Sequence, residues 1–283
     1  MYKLGILESI GRLPRAVFLV AIASIPMLLL APPVSHAQTT ISNIDDDPIT
    51  NPNDTYNDDR AWAWELGSDI GGCVGGCHAT AALSHNFTVT TDGESMRIDL
   101  NKSDSCTSNC YTDSWNGERI YHNVGTANGA TSFKLDLFLA LDSRGISNSQ
   151  AVEFNMEQDF PDSTGGWSIY KYSWQCDYKG TKKWRVWDGG TSQWVATSAA
   201  CVPPFNPNGF DHYVFNAIRL SNGTYEYTDF WINSTHLVLN YTTHGHDEKS
   251  SWEENLITWI QLDSDSAADS YTAWVDQYKV TYQ

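Results

Sequence analysis

Ala151-Val152-Glu153-Phe154-Asn155-Met156-Glu157-Gln158-Asp159 is the stretch on which the reading of this chain turns. Apolar and polar residues alternate along it, and on a β-strand successive side chains point to opposite faces. Val152, Phe154 and Met156 then pack inward, while Glu153, Asn155 and Glu157 line the other side. The same rhythm recurs on both sides of this segment. Residues 87–91, 96–100, 133–141, 167–174, 183–187, 212–220, 225–232, 236–241, 256–262 and 271–282 all read as short strands. Asp92-Gly93, Asp188-Gly189-Gly190 and Asn222-Gly223 supply turns between them. Many short strands, no helical period after the N-terminal region and no fixed repeat indicate an all-β antiparallel sandwich or jelly roll.

The rest of the chain frames that domain. Lys3, Arg12 and Arg15 precede an apolar run over residues 16–31, broken by Pro26, and Ser35-His36-Ala37 provides small residues at a cleavage site. We read residues 1–37 as a secretory signal peptide, cut after Ala37. The run is short for a membrane span, so no membrane association is expected after cleavage. Residues 38–60 carry Asp45, Asp46, Asp47, Asp54, Asp58 and Asp59 without apolar periodicity and read as an acidic, disordered leader. Residues 61–283 form the single expected domain, within the size range of one sandwich.

Formal charge over the 283 residues is −17, with 34 acidic against 17 basic residues. Nucleic acid is an unsuitable partner for such a chain, because phosphate binding needs clustered Lys and Arg. With 12 Trp, 14 Tyr and 10 Phe, aromatic content is too high for a disordered protein. Six cysteines suit an oxidising compartment. Cys176 and Cys201 flank an apparent hairpin over residues 182–198 and are expected to pair. Cys73, Cys77, Cys106 and Cys110 either close two small loops or cross-link them, and the spacing leaves that open.

Chemistry starts from what is missing. G-x-S-x-G, P-loop, dinucleotide and H-E-x-x-H signatures are all absent. His244-Gly245-His246-Asp247-Glu248 offers metal-ligand types in a polar loop, and reads as solvated surface. Glu153 and Glu157 are different, because two carboxylates on one strand face suit retaining glycoside hydrolysis. That reaction needs carboxyl groups about 5–5.5 Å apart, one as nucleophile and one as acid/base. Four residues of strand separate their Cα atoms by roughly 13 Å, so the side chains must lean together over a curved sheet.

Glu153-Phe154-Asn155-Met156-Glu157 resembles the Glu-x-Asp-x-Glu strand of β-glucanases in the concanavalin A-like lectin/glucanase jelly-roll superfamily, with Asn in place of the central Asp. The resemblance implies Glu153 as nucleophile, Asn155 as the residue that orients it, and Glu157 as acid/base. Val152-Glu153-Phe154-Asn155 also resembles the Val-Glu-Phe-Asp strand of legume-type lectins. On that resemblance Glu153, Asn155, Asp159 and Asp162 would supply oxygen ligands to Ca²⁺.

Tyr170, Tyr172 and Trp174 share one face of the next strand. If the two strands pair so that this face also carries Glu153, they form a sugar-stacking platform. Arg185 beside Trp184 suggests a cation–π contact. The last strand resembles the closing strand of concanavalin-like domains, where a mid-strand acid occurs; on that resemblance Asp276 is a candidate structural Ca²⁺ ligand. Six N-x-S/T sequons, at Asn53, Asn86, Asn101, Asn222, Asn233 and Asn240, are near the number chance would supply and do not identify a host.

The expectation is a secreted, disulfide-stapled jelly roll acting on extracellular polysaccharide or oligosaccharide, with no cofactor required. A retaining glycosidase comes first and a non-catalytic glycan-binding module second. A polysaccharide lyase comes third, since it would need a Tyr/His pair with a neutralising Arg or amide.

Overall fold

The computed structural model describes residues 37–49, 62–65, 79–102, 116–127, 129–162, 165–201, 209–248, 255–264 and 270–283. The chain divides into two units, Met1–Ser35 and His36–Gln283. The first, which holds nearly all of the proposed signal peptide, lies outside the described residues, as do Cys73, Cys77, Cys106 and Cys110.

In chain order the strands are β1 Thr39–Ile41, β2 Trp62–Glu65, β3 Ala79–Asn86, β4 Ser95–Lys102, β5 Asn116–Gly125, β6 Ser132–Leu141, β7 Ser149–Pro161 and β8 Trp167–Asp177. They continue as β9 Lys183–Asp188, β10 Gln193–Ala200, β11 Asp211–Arg219, β12 Thr224–Ile232, β13 Thr235–His244, β14 His246–Glu248, β15 Asn255–Ser264 and β16 Ser270–Tyr282. One sheet runs β13-β12-β11-β6-β16-β4-β3, with β1 beside β16. The other runs β10-β9-β8-β7-β15-β5-β2, with β14 beside β8. All ladders at the centre of both sheets are antiparallel. The chain is the antiparallel jelly-roll sandwich that its strand rhythm implies.

Facing side chains of the two sheets make one aromatic core. Phe154 from β7 packs 4.9 Å from both Tyr213 and Phe215 of β11. Trp174 of β8 lies 5.0 Å from Phe215, and Trp184 of β9 lies 4.9 Å from Phe230 of β12. Such ring pairs add about 0.5–1.5 kcal/mol each beyond the area they bury. Cys176 and Cys201 form a disulfide at the edge of this core.

Two expectations need correction. No strand forms at 87–91; the strand here is β3, which ends at Asn86. Asn86 Oδ1 accepts from the backbone N–H groups of Thr88 and Val89, which bends the chain out of the ladder and leaves Phe87 68% exposed. The described part of the acidic leader is also integral to the sandwich. β1 pairs Thr39 with Tyr282 and Ile41 with Val280, and Ile44 is fully buried. Trp62 Nε1 donates to the Ile44 carbonyl at 2.6 Å, and Asp47 pairs with buried His122 at 2.9 Å. Apolar residues spaced as sparsely as Ile41, Ile44 and Ile49 show no period, so the segment looks solvated until the sheet receives it.

Candidate functional site

Register decides which side chains meet. β7 pairs with β8 so that Phe154 faces Trp174, Met156 faces Tyr172 and Gln158 faces Tyr170. Residues directly opposite in an antiparallel pair point to the same side. Tyr170, Tyr172 and Trp174 therefore share the core face with Phe154, opposite to Glu153, and Tyr172 and Trp174 are fully buried. The sugar platform expected from them does not form, since a one-residue difference in register moves every side chain to the other face.

On the outward face, Glu153 stands opposite Gln175 of β8 and Gln261 of β15, and Asn155 stands opposite Ser173 and Trp259. Glu157 stands opposite Lys171 and Ile257. Glu153 and Glu157 thus share a face, with Asn155 between them. Glu153 is 6% exposed and Asn155 fully buried, while Glu157 is half-buried.

A relay of side chains holds Glu153. Gln175 Nε2 donates to Glu153 Oε1 at 2.6 Å, and Gln175 Oε1 accepts from Arg185 Nε at 2.6 Å and from Arg185 Nη2. Because the guanidinium only donates, it fixes the amide with its nitrogen toward the carboxylate. Arg185 Nη1 also lies 3.5 Å from Asp177. Asp177 closes the β8–β9 turn, accepting from Gly180 N, Thr181 N, Thr181 Oγ1 and Gln150 Nε2 at 2.6–3.0 Å. Burial alone would raise the Asp177 pKa, but Thr181, Arg185 and Gly180 together hold it below the ordinary carboxylate range. Asn155 does not orient Glu153: its Nδ2 reaches the Trp259 carbonyl at 3.5 Å, and its Oδ1 has no hydrogen-bond partner among the described residues.

Aromatic rings do occupy this face, from strands other than the expected one. Lys171 Nζ lies 5.0 Å from the Trp187 ring and 5.2 Å from the Trp259 ring. Trp187 meets Trp194 of β10 edge to face at 5.5 Å, and the Arg185 guanidinium sits 5.7 Å from Trp194. Arg185 therefore contacts Trp194 rather than its neighbour Trp184, which points into the core. Trp187 and Trp194 are half-buried and Trp259 is 4% exposed. The odd-numbered parity of Trp187 and Trp259 matches Glu153, a signal visible in the sequence only once the pairing is known.

Asp263 completes the group. It lies on β15 opposite Ala151, two residues beyond Gln261, and is 1% exposed. Burial first, and then the charge of Glu153, push its pKa well above the ordinary range.

Asp276 lies apart, in the other sheet. β16 pairs with β4 up to Val275 and with β1 from Val280, and the break between carries Gln277 at φ 48°. Asp45 fills that break, accepting from Gln277 N at 3.1 Å and Tyr278 N at 2.7 Å. Asp276 accepts from Thr91 N through Oδ2, and its Oδ1 has no hydrogen-bond partner among the described residues. Burial pushes Asp45 up to about 7, against the lowering by Tyr278 N–H, and burial also raises Asp276. Each oxygen of Asp45 thus accepts one backbone N–H group. Among the described residues no group of three or more His, Cys, Asp or Glu gathers into a metal site, at Glu153, Asn155, Asp159 and Asp162 included. His244 is exposed at the end of β13, and the side chains of 246–248 lie outside the described residues.

No protein family matches the sequence, and no curated protein matches it. Similar solved structures include arcelin-5, a lectin-like defence protein from Phaseolus vulgaris. It is 8% identical over 87% of this chain and 98% of that one, with a TM-score of 0.42. A prokaryotic β-1,3-1,4-glucanase (lichenase) from a mouse hindgut metagenome is 13% identical over 87% and 99%, at 0.39. A structure of carbohydrate-binding modules from the β-sandwich superfamily is 8% identical over 76% of this chain, at 0.37; this chain spans 55% of its length. Likeness at this level says nothing of activity.

Proposed function

We propose that this chain is a secreted carbohydrate-active protein, a retaining glycoside hydrolase for an extracellular polysaccharide of the β-glucan type. The observation that carries the reading is the outward face of β7: Glu153 and Glu157 lie on it together, with Trp259 on neighbouring β15 and Trp187 on β9, beyond β8 on the other side. Pyranose C–H groups stack on indole faces, and hydroxyls bond to amides and carboxylates such as Gln175, Gln261 and Glu157. Glu153 attacks the anomeric carbon while Glu157 protonates the departing oxygen; Glu157 then takes a proton from the water that releases the sugar. Gln175, clamped by Arg185, keeps Glu153 in one rotamer for that attack.

Two carboxylates suffice for this chemistry, so no cofactor enters it. If a structural Ca²⁺ binds, Asp276 Oδ1 is its side-chain ligand. A fall in Tm on EDTA treatment that Asp276→Asn abolishes would support the ion, and a Tm indifferent to EDTA removes it. Export with cleavage after Ala37 is read by N-terminal sequencing of the secreted product.

A second reading, glycan binding without turnover, draws on one observation: Glu153 is nearly buried and already bonded to Gln175. Reducing-end release from a polysaccharide panel decides between them. Hydrolysis by wild type that falls by more than about 10⁴-fold in Glu153→Gln, with Tm held, supports the hydrolase. Equal release by both proteins sinks Glu153 as nucleophile. Retention in a polysaccharide gel with no release by wild type leaves the binding module.

A further inference from the structure

Three carboxylates, Glu153, Asp177 and Asp263, lie on adjacent rows of the outward face, where Arg185 stands opposite Gln175 and Lys183 opposite Asp177. Their compensation is unequal. Asp177 accepts four hydrogen bonds and faces the guanidinium. Glu153 accepts the Gln175 amide, which Arg185 polarises from its other end. Asp263 accepts one neutral amide, Gln261 Nε2 at 3.0 Å on Oδ1, and its Oδ2 has no hydrogen-bond partner among the described residues. At 1% exposure no water shell stands in for the missing donors.

Gln261 is directly opposite Glu153, which puts Asp263 on the diagonal, where residues are about 7–8 Å apart and their Cβ atoms somewhat closer. Two carboxyl side chains span that distance. Asn155, the polar residue next along β7, has no titratable proton to offer. On β5 the register sets Gly117 opposite Asp263 and Arg119 opposite Gln261.

We propose that Asp263 is the proton-carrying partner of Glu153: the two buried acids hold one negative charge between them, resident on Glu153, with the proton on Asp263. The directions agree, since burial and the charge of Glu153 both act to keep Asp263 neutral and only Arg185 and the Gln261 amide oppose them. Like charges at this separation in a dry environment do not both ionise. Asp263 is then a positioning residue that keeps Glu153 ionised and ready to attack. The consequence for catalysis rests on the nucleophile reading of Glu153, whereas the shared proton does not.

The test is a carboxyl titration of ¹³C-aspartate-labelled full-length protein by NMR, with Asp263→Asn assigning the signal. Asp263 should titrate well above the ordinary value of about 3.9 and shift downward in Glu153→Gln. Stability reports the same proton. A raised folded pKa contributes stability that is present below the unfolded value and lost as pH rises through the folded one. The Tm of Asp263→Asn should therefore gain on wild type with rising pH, and that gain should shrink in the Glu153→Gln background. If Asp263→Asn does not fold, Asp263→Ser provides the assignment. An Asp263 signal at the ordinary value, or one indifferent to Glu153→Gln, overturns the shared proton even in an active hydrolase. A high, coupled Asp263 in a protein that hydrolyses no glycan upholds the shared proton and removes the nucleophile.

Discussion

The two faces of the β7–β8 ladder are both largely withdrawn from solvent, and they are chemical opposites. Toward the opposite sheet lie Phe154, Met156, Tyr172 and Trp174; away from it lie Glu153, Asn155, Ser173 and Gln175. Burial alone thus does not tell a core from a site. The inner face is stable because apolar area leaves water and the rings interlock. Its counterpart must satisfy every polar atom with a partner, and it does so unevenly: Asp177 is saturated, Glu153 is clamped, while Asn155 Oδ1, Ser173 Oγ and Asp263 Oδ2 have no hydrogen-bond partner among the described residues. Unmet polar capacity on a buried face is where a ligand with hydroxyls gains most, because each such group otherwise costs about 1–3 kcal/mol.

That contrast can be broken in three ways. Trp174→Ala should have the largest effect, on stability alone. Removing a fully buried indole packed on Phe215 and Tyr227 should cost about 3–5 kcal/mol, read as a fall in denaturation midpoint. Folded protein should retain wild-type affinity for glycan. Weakened binding at unchanged stability would return Trp174 to the role first expected of it.

Asp177→Asn comes next, at about 1.5–3 kcal/mol for hydrogen bonds to a charged group. The sign follows from its lowered pKa. Stability from Asp177 is present above the ordinary carboxylate value and is lost as pH falls through the lower, folded one. The difference from wild type should be full at neutral pH and vanish toward pH 2; a difference constant with pH would mean that shape, not charge, is what the turn requires.

Smallest is Trp187→Ala, whose ring is half-buried and bridges Lys171 and Trp194. Retention on polysaccharide should weaken by about 1–3 kcal/mol, the range for losing an aromatic stacking partner, with little change in Tm. Affinity equal to wild type would mean that sugars do not stack on this face.

Strand-by-strand, much of this was legible beforehand. Period 2 along residues 133–141 and 151–157 is what β6 and β7 display, and the Cys176–Cys201 pairing follows from the hairpin between them. The edges were less so. β5, Asn116–Gly125, and the short helix Ser143–Asn148 left no clear pattern, and β1 with Ile44 is ordered only by what it docks against. Asp45 looked like one acid among six; it is the acceptor that closes a break in β16 232 residues away. Nothing local distinguishes it from Asp46.

Within one strand, alternation determines which residues share a face, so the sequence by itself placed Glu153, Asn155 and Glu157 together and Tyr170, Tyr172 and Trp174 together. Whether those two sets meet depends on the parity of the ladder between β7 and β8, which a shift of one residue reverses. That parity is set by the whole sandwich closing on Phe154 and Trp174 as a common core. Tertiary structure alone therefore turned the expected platform inward and brought Trp187, Trp259, Gln175 and Asp263 to the carboxylates.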